Sequence, residues 1–197
     1  MSAHNTQKIP NSQSASGIFS IYKKAGETLV GLVGRFRTEQ SFDETLPITY
    51  AGRLDPMAEG VVILLAGEAC KQKDEYLGLD KEYTFEVLFG VATDTFDMLG
   101  VVTKSGELCP TVEQIEKDIE QVKKVATFSY PPYSSKPVNG LPLFVHAKAG
   151  TLPEVLPTME GEIKTLTLKS IQTTYFEKAV NEKLEIIKKV EGDFRQE

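Results

Sequence analysis

The chain is poor in the residues that build metal and redox centres. Among its 197 residues there are two cysteines, Cys70 and Cys109, and two histidines, His4 and His146. The cysteines stand far apart and make no CxxC, which argues against a disulfide framework or a zinc cluster. Two histidines leave little material for a catalytic triad or a His-rich metal site. Long apolar runs are missing too. The longest, Val61–Ala66, is much too short to cross a bilayer. The polar start, Met1–Gly17, has no apolar segment behind a basic beginning, so no secretory signal is expected. No GxxxxGK[ST], GxGxxG or HExxH occurs. Asp94-Thr-Phe-Asp97 opens like a calcium loop, but Phe96 and Met98 fill the third and fifth positions, where oxygen ligands are required.

What remains is an ordinary globular composition: 41% hydrophobic, 25% charged, with 22 basic against 28 acidic residues and a net charge of −6. Such a chain buries one sizeable core, and its cysteine usage points to the cytoplasm. The acidic balance weighs against a nonspecific nucleic-acid binder without excluding a basic groove on an acidic body.

Residues 1–16, rich in Ser, Asn and Gln, read as a disordered tail, with order beginning at Gly17 and a strand over Ile18–Tyr22. Leu29, Leu32, Val33 and Phe36 form an i, i+3, i+4, i+7 stripe that predicts an amphipathic helix with Thr28 as its cap. Val61–Ala66 reads as a strand buried on both faces. Tyr83–Phe89 alternates like a further strand, and the turn-rich Asp94–Gly100 leads into Val101–Thr103 to complete a hairpin. Thr111 and Gln114 have capping-box spacing ahead of Val112, Ile115, Ile119 and Val122, one face of a helix. Tyr130–Pro157 holds most of the prolines and reads as a long, functional excursion; Ile163–Phe176 and Leu184–Val190 read as late strands. The interspersed elements lack a βαβ rhythm, so the expected class is α+β, with a mixed or antiparallel sheet flanked by helices.

The segment that carries chemistry is Tyr50-Ala-Gly-Arg-Leu-Asp-Pro-Met-Ala-Glu-Gly60, just before the buried strand. Gly52, Pro56 and Gly60 constrain the loop, and Asp55 sits within it. By itself an Asp before Pro is ordinarily a turn residue or a cap.

Gly52-Arg-Leu-Asp-Pro-Met-Ala-Glu-Gly60, followed by Gly67-Glu-Ala-Cys-Lys71, resembles the catalytic loop of the TruB-type tRNA pseudouridine synthases. Three further blocks agree, in the family's order. Gly17–Gly26 is similar to its opening strand and lysine loop. Lys81-Glu-Tyr83 with Phe89–Gly100 is similar to its second block. Pro131–Lys136, Asn139-Gly140 and Ala147–Gly150 are similar to its thumb insertion, about residues 130–157. One block would be weak; four in order are specific.

The resemblance implies a pseudouridine synthase fold over residues 17–197. The implied enzyme is an isomerase that turns one uridine of a tRNA T-loop into pseudouridine without metal or organic cofactor. It acts as a monomer with tRNA as its partner, and with no membrane or protein partner. Asp55 matches the essential carboxylate, as nucleophile or as base at the ribose. Orientation comes from the rigid loop, and the target base must be flipped out of its stack. Tyr83 matches the tyrosine that packs against the flipped base, and Lys23 the lysine that supports the pocket. Where the family carries a histidine and a threonine, five and two residues before the aspartate, this chain has Tyr50 and Arg53. Tyr50 can fill the vacated stack, and Arg53 gives the GRLD string of the RsuA- and RluA-type relatives. Arg195, in Gly192-Asp-Phe-Arg195, takes the place of the arginine that pairs with the aspartate, although one residue is missing between Gly and Arg. The family's C-terminal RNA-binding domain is expected to be absent. Two alternatives remain: an RNA-binding or tRNA-folding module that has lost catalysis, and a synthase for another RNA. Lys23, Lys24, Arg35 and Arg37 form the basic cluster expected to face the RNA.

Overall fold

In the computed structural model, residues 16–106 and 109–190 are described. They fall into two units, one running to Thr84 and taking in the stretch from Val180, the other spanning Phe85–Ala179. Every strand pair among the described residues is antiparallel. With helices mixed among them, the chain is α+β.

The first unit is built on β1 (Gly17–Lys23), α1 (Leu29–Glu39), β2 (Ile48–Ala51) and β3 (Gly60–Ala66). The apolar run forms β3, and it is the middle strand of a three-stranded sheet ordered β1-β3-β2. Its side chains alternate between two cores. On one face Val62 and Leu64 meet Leu32 and Phe36 of α1, with Phe19, Leu54 and Tyr50 packed at the edges. On the other, Leu65 meets Ala51 and Ala69, with Ile63, Cys70 and Tyr76 around them. Both faces of β3 are therefore covered from Val62 to Ala66, as its apolar run predicts, while Val61 at its start is 68% exposed.

Thr28 caps α1, its hydroxyl accepting from the Gly31 N–H at 3.0 Å. The predicted stripe faces inward, with Leu32 and Phe36 fully buried. Phe36 also packs edge-on against Phe42, with 5.5 Å between ring centroids. After β3 the chain makes a 3-10 turn, Gly67–Gln72, and a short helix α2 (Lys73–Leu77). Ser16, the last residue of the expected tail, accepts from the Ala69 N–H at 3.1 Å; the rest of that tail lies outside the described residues.

In the second unit β4 (Val91–Thr93) pairs with β5 (Val102–Ser105). α3 (Val112–Val122) follows, capped by Thr111 as its spacing predicts, with the Gln114 N–H donating to the Thr111 hydroxyl at 3.2 Å. β6 (Thr127–Ser129) pairs with β9 (Thr158–Glu160); between them lie β7 (Pro137–Val138), β8 (Leu141–Pro142) and α4 (Leu143–Ala149). The Tyr130 N–H donates to the Pro157 carbonyl at 2.9 Å and closes the base of this excursion. α5 (Phe176–Ile187) contributes its residues from Val180 to the first unit.

Three expectations are corrected. Tyr83–Phe89 is not a strand: it is irregular, with Phe85 and Val87 more than half exposed. Gly90, at φ +91°, interrupts the extended run. The hairpin is instead closed from Val91 onward around a turn in which the Asp97 carboxylate accepts from Thr95 Oγ1 at 2.7 Å and from the Leu99 N–H at 2.8 Å. Ile163–Tyr175 pairs with no strand among the described residues. Leu184–Ile187, read as strand, is the end of α5; Val180, Leu184 and Ile187 recur at helical spacing. A helix satisfies its own backbone donors, whereas a strand there would need a partner.

Candidate active site

The site is built where β2 hands the chain to β3. Ala51 ends β2 in the core, and Gly52 takes φ +92°, a conformation open to glycine, to start the loop. Leu54 then turns inward onto the α1-facing core, so its neighbours Arg53 and Asp55 are left pointing to solvent. A turn over Pro56-Met57 follows, closed by the Ala58 N–H donating to the Asp55 carbonyl at 3.0 Å. Asp55 is thus held by the partly buried Leu54 before it and by the turn after it.

The loop is nailed from below by Lys23. This last residue of β1 lies opposite Gly60 in the sheet register and is fully buried. Its ammonium donates to the Ala58 carbonyl at 2.6 Å and to the Pro56 and Lys24 carbonyls, each at 3.2 Å. All three N–H donors are thereby used, as a buried ammonium requires. The Gly26 N–H adds a second bond to the Pro56 carbonyl at 2.8 Å. Gly26 sits at φ +92°, and a Cβ there would come within 2.5 Å of the Lys189 carbonyl oxygen.

Burial pushes the Lys23 ammonium below its ordinary value, opposed by the fields of Glu27, Asp55 and Glu59. Three carboxylates thus counter the burial of this one cation, and Asp55 is one of them. Desolvation, and next the Glu59 carboxylate to which it is hydrogen-bonded, raise the phenol of Tyr22. Glu27 is held below the usual carboxylate range chiefly by its hydrogen bond to Arg35, with Arg35 Nε 2.8 Å from Glu27 Oε1.

Tyr50 lies on β2 opposite Leu64, half-buried, and the Lys73 ammonium is 5.8 Å from its ring centroid. Tyr83 is 59% exposed in an irregular stretch and makes no ring contact among the described residues. Two residues earlier, Lys81 passes within van der Waals range of a Cβ built at Gly52. Lys23 lies opposite Gly60, at the end of β3 that the loop bearing Arg53 and Asp55 enters, whereas Tyr50 lies opposite Leu64, four residues further along that strand. Tyr83 is not packed among these residues, and Arg195 lies outside the described residues. Among the described residues, no group of His, Cys, Asp and Glu is arranged to hold a metal ion, and no helix is long and apolar enough to cross a membrane.

Sequence reasoning missed Glu27, Glu59 and Tyr22 around Lys23, and the approach of Lys189 to Gly26. Glu27 left one legible trace, since it directly precedes the capping Thr28. Lys189 left none.

The family model described as TruB family pseudouridylate synthase (N terminal domain) matches residues 42–186. The tRNA pseudouridine synthase B of Protochlamydia amoebophila is 34% identical over 142 residues, covering 72% of this chain and 53% of the relative. That of Caldanaerobacter subterraneus subsp. tengcongensis is 32% identical over 145 residues, covering 73% and 50%. That of Shouchella clausii is 34% identical over 160 residues, covering 80% and 52%. The chain spans about half the length of these relatives.

Proposed function

The chain belongs to the TruB family of pseudouridylate synthases, and on that premise we propose that it isomerises a uridine in the T-loop of tRNA to pseudouridine, with Asp55 as the essential group. The observation that carries the reading is the presentation of Asp55. It lies at the surface on a loop of which two carbonyls, those of Pro56 and Ala58, are bonded to a buried ammonium.

The reaction is a net isomerisation. The bond between ribose C1′ and uracil N1 breaks, the base turns over, and C1′ bonds to C5. C5 gives up its proton and N1 gains one. The Asp55 carboxylate begins this either by attacking C1′ or by removing a ribose proton; in both roles it must be ionised and held still. The exposed carboxylate stands in the electrostatic neighbourhood of the Lys23 ammonium. Neither route needs a metal or an organic cofactor.

Other residues serve binding. Tyr83, exposed on an irregular segment, is available to stack on the flipped uracil. Tyr50 fills the gap the base leaves, Arg53 pairs with a nearby carboxylate or stacks there, and Arg195 pairs with Asp55. Residues 130–157 act as the thumb that grips the T-loop; the strand pair at their base supports this. The protein works as a monomer in the cytoplasm.

The test is release of tritium from tRNA labelled at uracil C5. Release in proportion to pseudouridine formed supports the proposal. Tight binding without release would mean a tRNA-binding module instead, and release from another RNA alone would move the substrate.

A further inference from the structure

The basic cluster legible in the sequence is largely used up by folding. Lys23 spends its ammonium on three carbonyls. Arg35 is bonded to Glu27, Glu39 and the Tyr22 carbonyl. Arg37 donates to the carbonyls of Asp43 and Leu46. Lys24 alone keeps an ammonium with no hydrogen bond or ion pair among the described residues, and the fold brings it a companion from near the far end of the chain. Lys24, Ala25, Gly26, Glu27, Arg35 and Lys189 line one open cavity of about 270 Å³. The Lys189 ammonium, too, has no bond among the described residues.

We propose that this cavity is a phosphate-binding cleft, occupied by a backbone phosphodiester of the RNA substrate. Its charge supports this. Glu27 is neutralised by Arg35, so the lining carries two cations in surplus on a chain whose net charge is −6. Its construction supports it as well. Gly26 has its N–H bonded to Pro56, and the Lys189 backbone packs so closely against it that no side chain fits between them, which holds the segments bearing the two lysines together. The surplus of cations in this lining favours an anionic ligand, and a polyanion gains most from it because binding releases counterions. That same wall is bonded to the loop bearing Asp55, so a phosphate seated here registers the RNA against the loop from behind.

The inference rests on the proposed RNA substrate, and its test separates the two. Affinity for a T-loop stem-loop RNA is measured from 50 to 300 mM salt for the parent protein, for Lys24→Gln/Lys189→Gln, and for Lys117→Gln/Lys124→Gln, which removes the same charge from exposed positions on and just beyond α3. The cleft predicts that only the first pair weakens binding and flattens the slope of log affinity against log salt by about one unit. Inorganic phosphate, titrated against the amide resonance of Gly26, is expected to give a saturable shift in the parent that the first pair abolishes. An unchanged slope, or equal losses from both pairs, overturns the cleft. Tritium release measured on the parent decides the proposed function independently. Release with an unchanged slope removes the cleft alone, and a flattened slope without release keeps the cleft and removes the reaction.

Discussion

The ammonium of Lys23 and the carbonyl of Ala58 meet at 2.6 Å in a part of the sheet where Lys23 has no exposed surface. The bond joins the end of β1 to the loop between β2 and β3 and fixes the residues that follow Asp55. Lys23→Met should therefore leave the Ala58 carbonyl without its donor and let the loop shift. The expected cost is about 1–3 kcal/mol in urea unfolding, together with a loss of turnover larger than the loss of RNA affinity. An unchanged midpoint and unchanged turnover would show that the bond holds nothing.

Two glycines should respond in opposite directions. At Gly26, φ is +92° and a Cβ meets the Lys189 carbonyl, so Gly26→Ala is expected to destabilise by more than about 1 kcal/mol. Gly34 lies inside α1 with open space around its missing side chain, so Gly34→Ala should stabilise by about 0.5–1 kcal/mol. Thermal unfolding of both variants checks the signs, and equal signs would contradict the local geometry.

The pair Glu27–Arg35 sets an acid-side dependence. Glu27 is depressed in the folded protein, first by its hydrogen bond to Arg35, from an ordinary value of 4.5. A depressed carboxylate contributes stability that is present above its unfolded value and is lost as the pH falls through the folded one. Glu27→Gln should thus be less stable than the parent at pH 7, and the gap should close progressively below about pH 4.5. Denaturation at a series of pH values measures it; a gap constant down to pH 3 would rule the linkage out.

Much of the fold was legible because its elements announce themselves locally. The capped stripe of α1, the unbroken apolar run of β3 and the capped stripe of α3 are each readable within about a dozen residues. What was not legible depends on partners. The strand expected over Tyr83–Phe89 alternates correctly but pairs with no strand among the described residues, and the ladder forms beyond Gly90 because the Asp97 side chain shapes the turn. In the site, the glycines and proline around Asp55 marked a constrained loop. The bonds from Lys23 to Pro56 and Ala58 span 33 and 35 residues, a separation that no local pattern reveals. Two of the four clustered cations were spent on ion pairs or loop carbonyls for the same reason, and Lys23 on its buried bonds.

Exposure separates the two roles open to Tyr83. Because the ring is 59% exposed, Tyr83→Ala should leave stability within about 0.5 kcal/mol of the parent while weakening both RNA binding and turnover. Tyr83→Phe keeps the stacking face and should lower turnover more than affinity. A large loss of stability with unaltered RNA binding would make Tyr83 a packing residue.

The measurement that bears most directly on the whole account compares the parent with Asp55→Asn in single-turnover tritium release from C5-labelled tRNA, with affinity and unfolding recorded on the same preparations. Asp55 lies at the surface, so the variant is expected to fold and to bind RNA nearly as the parent does. Its release should fall to background. Release close to the parent's would contradict the account, because the loop that Lys23 secures would then be presenting a residue the reaction does not use.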